Sequence, residues 1–337
     1  MIRSPGHGPG VCTVPVALRL PSVPMRSRIP LLSLATWLAV ACSGDGGTAA
    51  PDPCLSPQGV REIRNDLVYQ ELPGVSVRER VLDLYLPSRA SSCGAAPIIV
   101  WVHGGDWGGG DKAELSDSIA AKLTEMGYVL ASVNYRLSSF MYTRHDPPVT
   151  WPTHANDVAV AMAWLRQQAA TFNGDPDRMA LIGFSAGAQI VANLGTDPRY
   201  MEIAGLDMAP LRCTVSLDVR LYDIPLAAEQ LPQIVPEIEE IFTADRDNWV
   251  LASATRQVKA GARLRPFFVL RRGVDAGRVG QADAFVAALQ AAGGTVATAT
   301  ALDYQHDDVN FTLAEPTDSI IWPALDRFLR NDCFPVN

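Results

Sequence analysis

Apolar and polar residues follow two periods along the chain from about residue 77 onward. Short apolar runs predict strands buried on both faces, and longer segments with apolar residues every three or four positions predict amphipathic helices. Strands are predicted at 77–86, 97–102, 128–133, 179–182, 213–218, 267–270 and 295–302. Helices are predicted at 116–126, 153–170, 188–194, 282–291 and 320–329. Strands and helices alternating in this way indicate an α/β fold with a doubly wound, mostly parallel sheet.

One interval interrupts this alternation. Between 221 and 261 the pattern predicts three short helices, at 226–231, 234–242 and 248–254, inserted after a strand. Such an insert either forms a lid over a site or is only a long crossover, and the sequence favours neither interpretation.

The first fifty residues have the pattern of an export signal. Basic residues in 25–28 precede an apolar run at 29–41, which ends in small residues and Cys42. This segment resembles a bacterial lipoprotein signal with Cys42 as the site of lipid attachment, although Ala39 replaces the usual aliphatic residue. The alternative is an ordinary signal peptide cleaved near Ala41.

These features divide the chain into three parts, a leader (1–41), a flexible tether rich in Gly, Ala and Pro (42–54) and a catalytic domain (55–337). We expect an exported protein, either a membrane-anchored lipoprotein or a periplasmic or secreted one. Outside the leader, no segment reaches the roughly 18 consecutive apolar residues of a membrane span.

Composition excludes one large class of partner. The 337 residues carry a formal net charge of −8 and contain no cluster of Lys and Arg. Nucleic-acid binding requires a basic surface that neutralises phosphates, so we expect no nucleic-acid partner.

Cysteines support an oxidising compartment. Beyond the leader lie Cys54, Cys93, Cys213 and Cys333, which allow two disulfides in three connectivities. The terminal positions of Cys54 and Cys333 suggest that these two pair, and a bond between Cys54 and Cys93 is nearly as well supported. Buried free thiols are the remaining alternative.

A candidate nucleophile lies between a predicted strand and a predicted helix. Gly183-Phe184-Ser185-Ala186-Gly187 is a G-x-S-x-G motif, in which the glycines relieve crowding around a strained turn that exposes the serine hydroxyl. The following helix directs its N-terminal amides, including that of Ala186, toward negative charge developing beside Ser185. Ser185 is therefore the predicted nucleophile.

A serine nucleophile needs a base, and the base needs an orienting acid. Of the five histidines, only His306 lies downstream of Ser185, after the 295–302 strand. For the acid we expect Asp275, which follows the 267–270 strand. Asp218, at the end of the preceding strand, is the second candidate.

A glycine-rich turn follows the 97–102 strand directly. In this turn, His103-Gly104-Gly105-Asp106-Trp107, the amides of Gly104 and Gly105 are candidate donors to an oxyanion. A phosphate-binding loop is excluded, because Asp111 stands where that motif requires lysine.

Taken together, these motifs resemble the α/β-hydrolase esterases of the carboxylesterase and hormone-sensitive-lipase type, and most closely feruloyl-esterase and arylformamidase-like members. The resemblance spans about residues 60–332. It rests on HGG-D-W at 103–107, Asn134-Tyr135-Arg136, Asp157, Gly174-Asp175-Pro176, G-F-S-A-G at 183–187, Asp275, His306 and Val309-Asn310.

The resemblance implies a carboxylic ester hydrolase that acts through an acyl-enzyme, and the leader implies that it is exported. It implies a triad of Ser185, Asp275 and His306, with Gly104, Gly105 and Ala186 as oxyanion donors. Asp106 departs from the pattern, since the lipase branch has a third glycine there and a carboxylate beside an oxyanion opposes its charge unless it points away.

No metal site and no organic cofactor are implied, and the expected partner is a small-molecule ester. The alternatives are an amide hydrolase of arylformamidase or peptidase type and a noncatalytic binding protein on the same scaffold, although such proteins typically lack the serine or the histidine.

Overall fold

A computed structural model describes residue 54, residues 59–138 and residues 145–335. The chain divides into two units, Met1–Ala49 and Ala50–Asn337, and every described residue lies in the second. The predicted leader, the lipid-attachment residue Cys42 and most of the tether lie outside the described residues. Among the helices of the described part, none has the length and apolar character needed to cross a membrane.

An eight-stranded sheet forms the centre of the second unit, and the predicted α/β class with a mostly parallel sheet is confirmed. The spatial order is β1-β2-β4-β3-β5-β6-β7-β8, with β1 and β2 antiparallel to their neighbours and the remaining pairs parallel. The strands are β1 (Val60–Val68), β2 (Val81–Pro87), β3 (Ala96–Val102), β4 (Val129–Val133), β5 (Gly174–Phe184), β6 (Leu211–Leu217), β7 (Phe267–Arg272) and β8 (Val296–Ala301).

Helices cover both faces of this sheet. In the described residues they are α1 (Asp117–Glu125), α2 (Thr153–Gln168), α3 (Ala186–Thr196), α4 (Arg199–Ile203), α5 (Ile224–Gln230), α6 (Val235–Phe242), α7 (Arg246–Leu251), α8 (Ala254–Gln257), α9 (Ala276–Ala291), α10 (His306–Thr312) and α11 (Ile321–Phe328). Alternate residues of β3 enter two separate cores: Ile98 and Val100 pack with α2 and α3, whereas Ile99 and Trp101 pack with α1 and α11. The apolar run of β3 is therefore buried on both faces, as a central parallel strand requires.

The predicted pattern misses elements where apolar residues are sparse. Strand β1 is an edge strand whose residues are mostly exposed, so it has no continuous apolar run. The predicted 77–86 strand begins only at Val81, because Val77–Arg80 form a 3₁₀ turn. The interval 221–261 contains α5 to α8, one more helix than predicted.

The two disulfides are Cys54–Cys93 and Cys213–Cys333, with Cα–Cα separations of 5.3 Å and 5.2 Å. The suggested pairing of Cys54 with Cys333 is therefore wrong, and the alternative pairing of Cys54 with Cys93 is the one observed. Cys213 lies inside β6, which brings it beside the final turn that contains Cys333.

Candidate active site

Ser185 occupies a sharp turn between β5 and α3. Its backbone has φ 54° and ψ −119°, in a region that L residues rarely adopt. A Cβ at Gly183 would lie 2.2 Å from the carbonyl oxygen of Gly187, and a Cβ at Gly187 would lie 2.1 Å from that of Val102. Both glycines are thus required by close backbone contacts, as the motif predicts.

The hydroxyl of Ser185 contacts the predicted base. Its Oγ lies 2.9 Å from Nε2 of His306, and the serine is only 7% exposed. His306 is the first residue of α10 rather than part of a loop, and a capping box formed by Gln305 and Asp308 begins that helix. The imidazole ring stacks on Phe184, with 4.8 Å between the ring centroids. The start of α10 at His306 and the stacking of the imidazole on Phe184 together orient the ring toward Ser185.

Asp218, not Asp275, is the carboxylate beside His306. Oδ2 of Asp218 lies 2.6 Å from Nδ1 of His306, and the aspartate is 1% exposed. An ionised carboxylate only accepts hydrogen bonds, so Nδ1 carries the proton and Nε2 is left to accept from the Ser185 hydroxyl.

The assignment of Asp275 as the orienting acid is corrected by this geometry. Asp275 is exposed and is the N-cap of α9, where its side chain accepts a hydrogen bond from the amide of Arg278 at 2.7 Å. The physical reason is the engagement of each side chain. The carboxylate of Asp275 caps α9, whereas that of Asp218, after β6, is held in the interior by Arg272, Arg278 and His306.

Two arginines contribute to the environment of Asp218. Arg272, at the end of β7, donates from Nε to Oδ2, and Arg278, in α9, donates from Nη1 to Oδ1 at 2.8 Å. Burial acts to raise the pKa of Asp218, but the hydrogen bond from His306 and the charges of Arg278 and Arg272 outweigh it and hold this pKa below its usual value. The acid is therefore ionised at any pH near neutrality. Sequence reasoning missed both arginines, because only the packing of α9 against β7 brings them to Asp218.

The glycine-rich turn after β3 passes directly against the nucleophile. A Cβ at Gly104 would lie 2.9 Å from the Cβ of Ser185, so only glycine permits this approach. Gly105 has φ 108°, and its carbonyl oxygen accepts from the amides of Gly108 and Gly109, which closes the turn. Ala186, the third predicted donor, is the first residue of α3. All three predicted donors therefore lie at or next to Ser185.

The buried side chain of His103 stabilises this turn. Burial lowers the pKa of His103 to about 4, so the ring is neutral near pH 7. Its Nδ1 lies 2.7 Å from the carbonyl oxygen of Gly104, which can only accept, so Nδ1 donates. Tyr135 stacks on the ring at 4.5 Å and donates from its hydroxyl to the His103 carbonyl. Asp106, the departure from the family pattern, is exposed at the rim of the site.

A cavity of about 170 Å³ opens beside Ser185 and His306. Its apolar wall consists of Trp107, Val219, Leu221, Ile234, Ile238 and Ile241, three of which belong to or adjoin α6 of the 221–261 interval. The interval is anchored to α3, where Gln189 and Asn193 both donate to the carbonyl oxygen of Ala252. Gln189 also accepts from Nε1 of Trp107. The insert is thus one wall of the candidate site.

Other polar residues of the predicted pattern have structural contacts. Asp157, in α2, accepts from Nε and Nη2 of Arg136 at 2.8 Å and 2.7 Å and pairs with the buried Arg80. Arg136 and Asp157, two residues on which the resemblance rests, therefore form an ion pair. Among the described residues, no group of three or more His, Cys, Asp or Glu side chains is arranged to hold a metal ion.

The chain is similar in sequence and in fold to several known proteins. Residues 82–209 match the family model described as BD-FAE. Two curated relatives, both from Mycobacterium tuberculosis, are similar in sequence. The probable carboxylic ester hydrolase LipM is 29% identical over 67% of this chain and 52% of its own length, and the esterase LipQ is 29% identical over 69% and 55%. The chain spans about half the length of the curated relatives it matches.

A solved structure gives the fold. The apo form of Thermogutta terrifontis esterase 2 aligns with a TM-score of 0.63 at 22% identity, over 83% of this chain and 97% of the other. The chain therefore has the expected α/β-hydrolase fold and, through residues 82–209, is similar to the BD-FAE family and to carboxylic ester hydrolases.

Proposed function

We propose that the protein is a serine hydrolase that cleaves carboxylic esters through an acyl-enzyme. The observation that carries this proposal is the continuous hydrogen-bonded chain from Ser185 Oγ to His306 Nε2 and from His306 Nδ1 to Asp218 Oδ2. A serine hydroxyl gains nucleophilicity only when a positioned base accepts its proton, and this chain supplies the base and its orienting acid.

The reaction proceeds in two halves. Ser185 Oγ attacks the ester carbonyl while its proton passes to Nε2 of His306, and Asp218 stabilises the imidazolium that forms. His306 then donates this proton to the alkoxide leaving group, and the alcohol departs. A water molecule, deprotonated by His306, attacks the carbonyl of the acyl-enzyme. His306 returns this proton to Ser185 Oγ as the bond from Oγ to the acyl carbon breaks, and the carboxylic acid leaves.

We assign the oxyanion to the amides of Gly104, Gly105 and Ala186. In the part of the chain that the structure describes, the amides of Gly105 and Ala186 donate no other hydrogen bond. Removal of one such donor typically costs 10² to 10³ in kcat. The exposed position of Asp106 allows its carboxylate to turn toward solvent and away from this charge.

The cavity favours short acyl groups. An apolar cavity of about 150 Å³ holds a molecule of the size of benzene, so about 170 Å³ admits an acyl chain of roughly six carbons. The relatives LipM and LipQ bear esterase names, which supports the ester over the amide as substrate.

Turnover of p-nitrophenyl acetate, butyrate, hexanoate and dodecanoate by the purified protein tests this proposal. We expect activity on the first three and at least tenfold lower kcat/KM on the dodecanoate. A folded protein that hydrolyses none of these esters would contradict the proposal. In that case formanilides, the substrates of an amide hydrolase, are the next to assay.

We also propose that the protein is exported and anchored through a lipid on Cys42. The basic and apolar pattern of 25–41 supports this, and the two disulfides fit an oxidising compartment. Mass spectrometry of the mature N-terminus is the test. A diacylated Cys42 is expected, and an unmodified N-terminus at Cys42 would instead indicate an ordinary signal peptide.

A further inference from the structure

An arginine that has no partner among the described residues lies on the wall of the candidate active site. Arg220 follows Asp218 by two residues, is exposed, and lines the cavity that also contains Ser185 and His306. Within the described residues it forms neither a hydrogen bond nor an ion pair. Its neighbours differ in this respect, since Arg256, Arg271, Arg272 and Arg278 all pair with carboxylates.

Arg278 adds a second set of donors to the same cavity. It uses Nη1 on Asp218, and its Nε and Nη2 make no hydrogen bond in the part of the chain that the structure describes. Its side chain is 15% exposed. Arg272 and Arg278 both pair with the carboxylate of Asp218, and Arg220 lies on the same side of the cavity, so this side carries more guanidinium groups than carboxylates.

Two further charged residues line the cavity from other elements. Asp106 comes from the turn after β3 and Glu237 from α6, and both are exposed. An anionic group entering the cavity is therefore repelled by the side formed by α6 and the glycine-rich turn. It is attracted by the side formed by Arg220 and α9. The placement of these charges therefore favours one orientation of an anionic group, with its negative end toward Arg220 and Arg278.

We propose that this enzyme acts on esters whose acyl group carries a carboxylate, and that the guanidinium of Arg220 binds this carboxylate. The proposal rests on the proposed esterase activity. A guanidinium presents paired N–H donors that match the two oxygens of a carboxylate, and such charge-assisted pairs are among the stronger hydrogen bonds. Half-esters of dicarboxylic acids are the substrate class that results.

A matched pair of esters separates the two proposals. Mono-p-nitrophenyl adipate and p-nitrophenyl hexanoate have acyl groups of the same length and differ in a terminal carboxylate. Turnover of the hexanoate reports the esterase activity itself, and the ratio of kcat/KM for the two esters reports recognition of the anion.

Substitutions then test whether Arg220 is the residue that recognises the carboxylate of the adipate ester. We expect Arg220→Met to lower kcat/KM for the adipate ester at least tenfold, mainly through KM, and to change that for the hexanoate less than twofold. Arg220→Lys should recover a substantial part of the loss, and Glu237→Gln should raise kcat/KM for the adipate ester about threefold. Arg263→Met, at an exposed arginine that does not line the cavity, is the control.

Ionic strength gives an independent readout. Because Arg220 is exposed, added salt should reduce the preference for the adipate ester in the unmodified enzyme and leave that of Arg220→Met unchanged. An enzyme that hydrolyses the hexanoate but shows the same ester ratio before and after Arg220→Met would overturn this proposal alone. An enzyme inactive on both esters would overturn the proposed function.

Discussion

Ser185 and Asp218 each follow a strand of the same sheet, and both have a positive φ, yet different interactions determine where they lie. Ser185 is positioned mainly by the G-x-S-x-G motif around it, because Gly183 and Gly187 allow close backbone contacts, within the motif and with Val102 of β3, that any side chain would prevent. Asp218 is positioned by side chains from β7, α9 and α10, which are 54 to 88 residues distant in sequence.

This difference separates a local motif from a tertiary cluster. A local motif keeps its geometry as long as its few residues are present. A cluster depends on strand order, helix packing and the charge balance among groups that the sequence does not bring together. The nucleophile side of the site should therefore respond to backbone changes, and the acid side to changes of charge.

The largest effect is expected at the nucleophile. Ser185→Ala should reduce kcat for p-nitrophenyl butyrate by roughly 10⁶-fold without change of fold, because no other group can form the acyl-enzyme. Burst-phase kinetics measure the loss of acyl-enzyme formation, and circular dichroism checks that the fold is unchanged. Ser76→Ala, at an exposed serine whose side chain caps nothing, is the control and should be fully active. Comparable activity in both variants would remove Ser185 from the mechanism.

The local motif itself can be broken by one methyl group. Gly187→Ala places a Cβ at 2.1 Å from the carbonyl oxygen of Val102, so the backbone must shift, and we expect a loss of about 3 kcal/mol in the free energy of unfolding. Urea denaturation measures this loss. Gly280→Ala, inside α9, is the matched control, since its Cβ meets no atom within 4 Å, and it should be neutral or stabilising by up to about 1 kcal/mol. Equal changes in the free energy of unfolding for the two variants would show that the turn at Ser185 accommodates a side chain at position 187.

A smaller effect is expected in the pH dependence of the free energy of unfolding, to which the two regions contribute differently. His103 and His154 support the nucleophile side, and burial lowers the pKa of each to about 4. An unfolded histidine has a pKa of about 6.5, so the unfolded chain binds more protons between these values and stability falls as pH decreases from about 6.5 to 4. The lowered pKa of Asp218 adds only a small loss, at the acid end of this window, because its contribution to stability disappears mainly below the unfolded pKa of about 3.9.

Removal of one histidine should reduce this dependence. Each buried histidine contributes about 1.4 kcal/mol per pH unit to the slope of unfolding free energy. His154→Gln keeps a polar side chain near Ser138, its present partner, and should lower the slope by about that amount. Urea midpoints at pH 4.5, 5.5 and 6.5 measure it. An unchanged slope would mean that His154 is not neutral in the folded protein.

Sequence reasoning reached the two regions to different extents. The sheet, the flanking helices, the elbow at Ser185 and the glycine-rich turn at Gly104 could be predicted, because hydrophobic period and glycine spacing are local properties. His306 was reachable because it is the only histidine downstream of the nucleophile. Strand β1 and helix α10 could not be predicted from the pattern. Most residues of β1 are exposed, so it has no apolar run, and α10 begins at a capping box within a polar segment.

The choice between Asp218 and Asp275 lay beyond local pattern. Both aspartates follow predicted strands, and the tertiary contacts decide which one reaches His306: the side chain of Asp275 caps α9, whereas that of Asp218 is buried against His306. Asp275 also satisfies a local role, since it caps α9 and so positions Arg278 against Asp218. Asp275 therefore affects the site only indirectly, through α9 and Arg278, and its carboxylate does not contact His306.

Exchange of each aspartate for asparagine tests this account most directly. Asp218→Asn removes the charge that orients and stabilises the imidazole, and kcat for p-nitrophenyl butyrate should fall by about 10³ to 10⁴. Asp275→Asn keeps a residue that caps a helix equally well, so kcat should stay within about threefold of the unmodified enzyme. A large loss in Asp275→Asn, with Asp218→Asn nearly active, would contradict the assignment of Asp218 as the acid.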